Sequence, residues 1–320
     1  MKTADTQGGW DAVVAAAEQE GVVTVWSAAD DKVAGRLATA FEKKYPKIKV
    51  SMVKLISSEQ VTRLGAEISA GRGLDVDMLL SNSDYNFLTG LHQKGLLAKP
   101  AGPGAAGYPA ADLGVDLAPI SVNPYVLVWN TKLLSGPPTY EDLLTPKFKG
   151  RVGIPNVPTA AAHQAEYLFL RKELGDDYFK QLAKQAPHID SAMSVTAQSI
   201  ASGELLASPT GNAASVQLLK AKDAPIDYQL PPGGTTAFTF YAVAMAKSGH
   251  PNAGLLLLDF AMGADGQAIL NSDQQAMSVL PNIPGTLQDP KGLVRRDDWA
   301  SIKQSDLTDT SGWFAATFTR

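Results

Sequence analysis

The segment "GVVTVWSAADDKVAGRLATAFEKKYPKIKV" (residues 21–50) decides the fold. It opens with a short apolar, β-branched run, the composition of a buried strand. Val33, Leu37, Ala40 and Phe41 then fall on one face of a helix that Pro46 closes. "IKVSMVKL" (48–55) alternates as a strand does. Downstream, "SSEQVTRLGAEISAGRG" (57–73) predicts a second helix: Ser57 stands three residues before Gln60, the spacing of a capping box, and Val61, Leu64 and Ile68 share a side. "DVDMLLS" (75–81) predicts a third strand. A β-α-β-α-β series of this kind implies a mainly parallel sheet with right-handed crossovers.

Further along, "AGPGAAGYPAADLG" (101–114) reads as a surface loop and "APISVNPYVLVWN" (118–130) as a strand long enough to pass from one domain to another. "TYEDLL" (139–144) starts a short helix, with Thr139 three residues before Asp142. "RVGIPNVPTAAAHQAEYLF" (151–169) begins as a strand and ends as a helix. "FTFYAVAMAK" (238–247) predicts another long strand. "HPNAGLLLLDFAMGADGQAIL" (250–270) predicts one strongly apolar helix with Pro251 near its start.

The bulk properties narrow the function. The 320 residues are 45% hydrophobic and 19% charged, ordinary for a folded chain of one large or two medium domains. A net charge of −4, with no basic block longer than Lys43-Lys44 or Arg295-Arg296, argues against nucleic acid as a partner. The absence of cysteine excludes disulfides, thiolate metal sites and cysteine nucleophiles. No apolar run approaches the roughly 20 residues that span a bilayer. The opening "MKTADTQGGW" has no apolar signal core, so the expectation is either an intracellular protein or a chain that begins after a removed leader. "GPGAAG" (102–107) matches a dinucleotide fingerprint, but Pro100 and Pro109 block the strand before it and the helix after it. His92, His163, His188 and His250 form no i, i+4 pair, and no nucleophile elbow is present.

The strand-to-helix turns are more informative, because open parallel sheets bind ligands at the carboxyl ends of their strands. Five turns are rich in small or hydroxylated residues. They supply as candidate ligand contacts Ser27, Ala28 and Asp30; Ser81, Asn82 and Tyr85; Thr159, Ala160, Ala161 and His163; Thr210, Gly211 and Asn212; and Thr235 and Phe238. Small residues let a ligand approach the free N–H groups of a helix start. The first two turns carry Asp30, Asp31 and Asp84; the other three carry no acid. A helix start bears roughly half a positive charge, which a first-turn acid would offset. The helix expected to begin at Thr159 therefore keeps its field open to an anionic group.

The order of these motifs resembles the extracellular solute-binding proteins of ABC importers (family 1, type II), in the two-lobed branch of the ferric-iron binders. The likeness covers roughly residues 20–285 and rests on the opening segment, "RLGAEISAGRGLDVDML", "NPYVLVWNTKLL" with "PTYEDLLTPKFKGRVGIPN", and "YAVAMAKSGHPNAGLLLLDFAMGADGQAIL". It implies two α/β lobes, each a mainly parallel sheet flanked by helices, joined by hinge strands near 118–124, 233–240 and 275–282. One lobe would combine 1–119 with 238–275, and the other 124–232 with 280–320. Ligand would be held in the cleft by hinge closure. Asn123 and Tyr125, beside the first crossing, join the candidate contacts. The resemblance further implies a periplasmic or extracellular monomer, without cofactor or catalytic residues, that hands a small molecule to a membrane permease. Iron-binding members present neighbouring tyrosines after an asparagine where this chain has Ala213, Ala214 and Ser215, and alanine offers a ferric ion nothing. The expected solute is therefore a carboxylate, phosphonate or similar anionic or dipolar molecule, with no metal ligand. Ferric iron is the alternative. An enzyme on a two-lobed α/β scaffold and the sensor domain of a signalling protein are the remaining readings.

Overall fold

A computed structural model describes residue 4 and residues 8–71, 73–82, 85–109, 113–159, 161–296 and 301–319. The elements in chain order are α1 (Trp10–Glu20), β1 (Val22–Ser27), α2 (Asp31–Lys44), β2 (Lys49–Lys54), α3 (Ser57–Ser69), β3 (Met78–Ser81), α4 (Tyr85–Gln93), α5 (Pro103–Ala106), β4 (Ala118–Asn130), β5 (Gly153–Pro155), α6 (Ala161–Leu174), α7 (Asp176–Lys184), β6 (His188–Asp190), α8 (Met193–Ser202), β7 (Ala207–Asn212), α9 (Ala213–Lys220), β8 (Ile226–Gln229), β9 (Thr235–Ala244), α10 (Pro251–Met262), α11 (Ala264–Leu270), β10 (Val294–Arg296) and α12 (Gln304–Phe318). Short 3-10 turns lie at Asp142–Leu144, Pro146–Phe148 and Val157–Thr159. The chain divides into two compact units, one of Met1–Val122, Thr239–Ser272 and Ser278–Thr286, the other of Asn123–Phe238, Asp273–Met277 and Leu287–Arg320. β4 passes from the first unit to the second after Val122, and β9 returns after Phe238.

In the first unit β1 pairs in parallel with both β2 and β3, as the alternating pattern predicts, and β9 adds an antiparallel neighbour to β3. α2 buries Val33, Leu37 and Phe41 on its apolar face. α10 is buried at all twelve positions, which suits a helix that is apolar all round. Glu20, at the end of α1, closes its start by accepting from the Asn252 side chain (2.7 Å) and the Ala253 N–H (2.8 Å). No single helix among the described residues is long and apolar enough to cross a membrane.

Three local readings change. The predicted 250–270 helix is two helices, α10 and α11, bent by 76°. Gly263 is extended between them (φ −68, ψ 166), and a Cβ on Gly266 would lie 2.2 Å from the Phe260 carbonyl, so the break depends on close backbone packing. Ser57 is the first residue of α3 and not its cap. Glu59 instead accepts the Ile56 N–H at 3.0 Å, while buried Gln60 donates to the Leu55 and Leu80 carbonyls. Within 101–114, residues Pro103–Ala106 form a helical turn, and Ala105 and Tyr108 are buried, so this stretch belongs partly to the core.

In the second unit β4 runs antiparallel to β7 and β8, β5 pairs in parallel with β6, and Val152 bridges Ala207 in parallel. Thr139 and Asp142 form the expected reciprocal pair, each side chain accepting the other's N–H. An aromatic cluster organises the core: Phe179 lies 5.7 Å from Tyr167 and 5.1 Å from Trp313, the second contact edge-on. Arg171 stacks 4.3 Å above the Trp313 ring. Residues near the carboxyl end of the chain thus complete this unit.

Candidate functional site

In the first unit the ends of three parallel strands meet. Ser27 is buried, and its Oγ accepts the Ala29 N–H at 3.2 Å. The Ala28 N–H donates to the Leu80 carbonyl at 2.9 Å, which ties the turn after β1 to the end of β3. Ser81 is buried there, with its Oγ 3.5 Å from that of Ser57, and Ser57 donates to the Asn82 side chain. Tyr85 opens α4, its ring 6.3 Å from Tyr241. Asp30 is occupied as the cap of α2, accepting the Lys32 N–H at 3.0 Å. Ser57 and Lys54 were absent from the sequence-derived set. The Lys54 ammonium donates to the Ala29 carbonyl at 2.5 Å and lies 3.4 Å from Asp31. The turn after β2 lies on the same sheet edge as those after β1 and β3, and that parallel order was the signal for both residues. Asp84 and Ala160 lie outside the described residues.

A second group forms around the start of α6 in the other unit. Tyr125 on β4 is opposite Asn212 on β7, packs its ring 5.6 Å from Phe238 and donates its hydroxyl to the Ala162 carbonyl at 2.8 Å. Asn123, buried two residues earlier, shares the Tyr125 face of the strand. Asn212 caps α9 by accepting the Ser215 N–H at 2.7 Å. Gly211 packs so closely on β4 that a Cβ would meet Val128 at 2.6 Å. Behind β7, the gap between Met193, Ala197 and Val216 has no room for a water molecule, so packed side chains back the strand. Thr235 is drawn elsewhere: it is buried at the β9–β10 edge, its N–H donating to the Leu293 carbonyl at 2.9 Å.

The start of α6 differs from its sequence reading. Thr159 ends a 3-10 turn before the helix and donates its hydroxyl to the Asn156 carbonyl at 2.6 Å, so that hydroxyl is turned away from α6. Ala161 is the first residue of α6, and the first turn contains no acid. Burial lowers the His163 pKa from 6.5, opposed by the nearby Asn156 carbonyl. The His163 Nδ1 is buried and makes no hydrogen bond of normal geometry among the described residues.

Glu166 is a buried acid beside this group that the sequence reading does not single out. It is 1% exposed on α6 and accepts the hydroxyl of Thr210, itself fully buried. Burial, with the Glu166 charge as the second cause, pushes the Tyr140 and Tyr167 hydroxyls up. An acid among the buried Ala165, Tyr167 and Leu170 was the available signal, since carboxylates are almost never fully buried without partners.

Two of the other three histidines lie beside carboxylates. His250 lies 3.1 Å and His92 2.8 Å from the carboxylates of Asp77 and Asp116. Among the described residues no three His, Asp or Glu side chains gather into a metal-holding group.

The arrangement offers hydroxyl, amide and aromatic contacts at strand ends, with an acid-free helix start in the second unit. Residues 36–297 match the family of bacterial extracellular solute-binding proteins, and the chain belongs to that family. No curated protein sequence matches it significantly. Among solved structures it is similar to the substrate-binding protein of an ABC transporter from Agrobacterium tumefaciens (TM-score 0.76, 18% identity, 92% of this chain and 94% of that one). It is also similar to iron-bound HitA from Pseudomonas aeruginosa (0.67, 20%, 92% and 97%). AfuA from Actinobacillus pleuropneumoniae with fructose-6-phosphate bound is a third likeness (0.66, 19%, 93% and 99%). These likenesses establish the two-lobed type II binding-protein fold.

Proposed function

We propose that the protein works in the periplasm or outside the cell, where it captures a small anionic or dipolar organic solute and delivers it to the permease of an ABC importer. The class includes carboxylates, phosphonates and sugar phosphates. The observation that carries this reading is the acid-free first turn of α6. Its N–H groups and dipole favour a negative group. Tyr125 bonds the Ala162 carbonyl at that start, packs against the Phe238 ring and pairs with Asn212, which supplies a neutral amide. In the first unit, Ser27, Ser57, Ser81 and Asn82 offer hydroxyl and amide contacts to polar parts of a solute.

Ferric iron is the rival cargo, favoured by the likeness to an iron-bound protein. Against it, Ala213 and Ala214 open α9 where the resemblance expects phenolate ligands. The test is native mass spectrometry of freshly purified protein, followed by a thermal-shift screen of phosphonates, sugar phosphates, carboxylates, amino acids and ferric salts. An anionic or dipolar compound is expected to stabilise the protein by about 2.7 kcal/mol at a hundredfold excess over its Kd. A shift given by ferric salts alone, with visible charge-transfer colour, overturns the proposal.

A further inference from the structure

A cavity of about 280 Å³ opens within the first unit, away from the residues above, and is lined by Trp10, Lys44, Tyr45, Asp259, Phe260 and Asp265 among others. Its volume lies just under the roughly 300–1,000 Å³ typical of small-molecule pockets, which limits an occupant to a small metabolite.

Asp259 is the informative group. Only 7% of it is exposed. Its Oδ1 accepts the N–H groups of Gly104 at 2.6 Å and Ala105 at 3.4 Å. That approach requires the glycine, because a Cβ at Gly104 would lie 2.3 Å from the Asp259 carbonyl. Both N–H bonds go to Oδ1, and Asp259 lines the cavity. Burial raises the Asp259 pKa, opposed by the two backbone donors and by Lys44. A largely buried carboxylate at a cavity wall is stabilised in its charged form by an incoming cation.

Lys44 supplies the opposite charge. Its ammonium lies 5.5 Å from the centre of the Phe260 ring and 5.6 Å from that of Tyr45, and it forms no ion pair with any described carboxylate. The cavity thus presents a separated anion and cation among three aromatic rings. Asp265 adds a second acid at the lining. A lone organic cation would make no use of Lys44, and a lone anion would meet Asp259 and Asp265. A zwitterion answers both.

We propose that this cavity binds a small amino-acid-like zwitterion with an aromatic or apolar body, its ammonium on Asp259, its carboxylate on Lys44 and its body against Trp10 and Tyr45. This is a site separate from the one that captures the transported solute.

Calorimetric titration of the full chain with three probes of common body tests it: L-phenylalanine, phenethylamine and hydrocinnamate. Phenylalanine is expected to bind saturably with Kd on the order of 1 mM, phenethylamine roughly tenfold more weakly, and hydrocinnamate not at all. Asp259→Asn keeps the Oδ1 acceptor for Gly104 and should weaken phenylalanine at least tenfold or so. Lys44→Gln, on an exposed side chain, should weaken phenylalanine while leaving phenethylamine unchanged, and it stands alone as the test where Asp259→Asn does not fold. Ala161→Asp, in the other unit, should leave phenylalanine binding intact. The proposal falls if neither phenylalanine nor phenethylamine binds saturably, or if Lys44→Gln binds phenylalanine as the parent does. It falls equally if Ala161→Asp abolishes that binding, because phenylalanine is then the captured solute.

Discussion

α2 in the first unit and α6 in the second both follow a strand, and they begin in opposite ways. α2 is closed by acids: Asp30 caps it, Asp31 stands in its first turn, and Lys54 lies 3.4 Å from Asp31. α6 has no acid in its first turn, and the hydroxyl preceding it is bonded back to Asn156. The contrast extends beyond this pair. Glu59 closes α3 and Glu20 closes α10, whereas α8 and α9 begin without an acid, α9 under a neutral asparagine cap. α7 shows that this is not a habit of the second unit, because Asp176 and Asp177 lie in its first turn. Acid is therefore withheld from particular helices. Where a start has only a packing role, a carboxylate offsets the dipole at little cost. Where a negative ligand is to arrive, the same carboxylate would repel it.

The sharpest way to break this comparison is to make α6 resemble α2. Ala161→Asp places a charge on the first residue of the helix and is expected to weaken binding of the proposed anionic solute by roughly tenfold to a hundredfold. Melting temperature should hold or rise, since an acid there favours the helix. Unchanged affinity by titration would make the acid-free start incidental.

Next in size is the loss of Glu166. Glu166→Ala strands the buried hydroxyl of Thr210 and is expected to cost about 2 kcal/mol of stability. Glu166→Gln keeps an acceptor for Thr210 while removing the charge. It should recover most of that stability and bind an anionic solute more tightly than the parent, because the nearest buried negative charge has gone. Denaturant melts and titrations of the two variants separate the effects. Smaller still is Asp30→Ala, which removes the α2 cap and should cost about 1 kcal/mol without weakening an anionic ligand. Equal losses of affinity from Asp30→Ala and Ala161→Asp would show that both helix starts serve the same purpose.

The parts of this comparison that could be read in advance are those that depend on near neighbours. The alternation of β1, α2, β2, α3 and β3, and the Thr139–Asp142 pair, follow from periodicity and short spacing. So does the lack of acid after Pro158, a property of composition. What escaped reading depends on residues far apart in sequence. α5 is held by Asp259, 155 residues away. Glu166 finds Thr210 across 44 positions, and no local pattern joins them. The α10–α11 bend depends on Gly266 fitting against the Phe260 carbonyl, a contact that hydrophobic periodicity does not register. Ser57 lies one position inside α3; a cap and a first helical residue share the same composition, and only the bond from Ile56 to Glu59 separates them.

The smallest expected effect concerns protons. Burial holds the His163 pKa below 6.5, so the unfolded chain takes up a proton at that position more readily than the folded one. Stability from this group is present in full above 6.5 and is lost as the pH falls from there towards the lowered folded value. One pKa unit corresponds to about 1.4 kcal/mol, and partial exposure of the ring brings the expected contribution down to a few tenths. His163→Gln should therefore flatten the fall in denaturation midpoint on the acid side of neutrality. An anion seated at the start of α6 would favour the imidazolium. Saturating solute should then raise the His163 pKa in the folded state and shrink the same pH dependence in the parent protein. An acid-side slope that solute leaves unchanged, in a protein shown by titration to be saturated, would place the bound negative charge away from His163 and return the α6 start to a purely structural role.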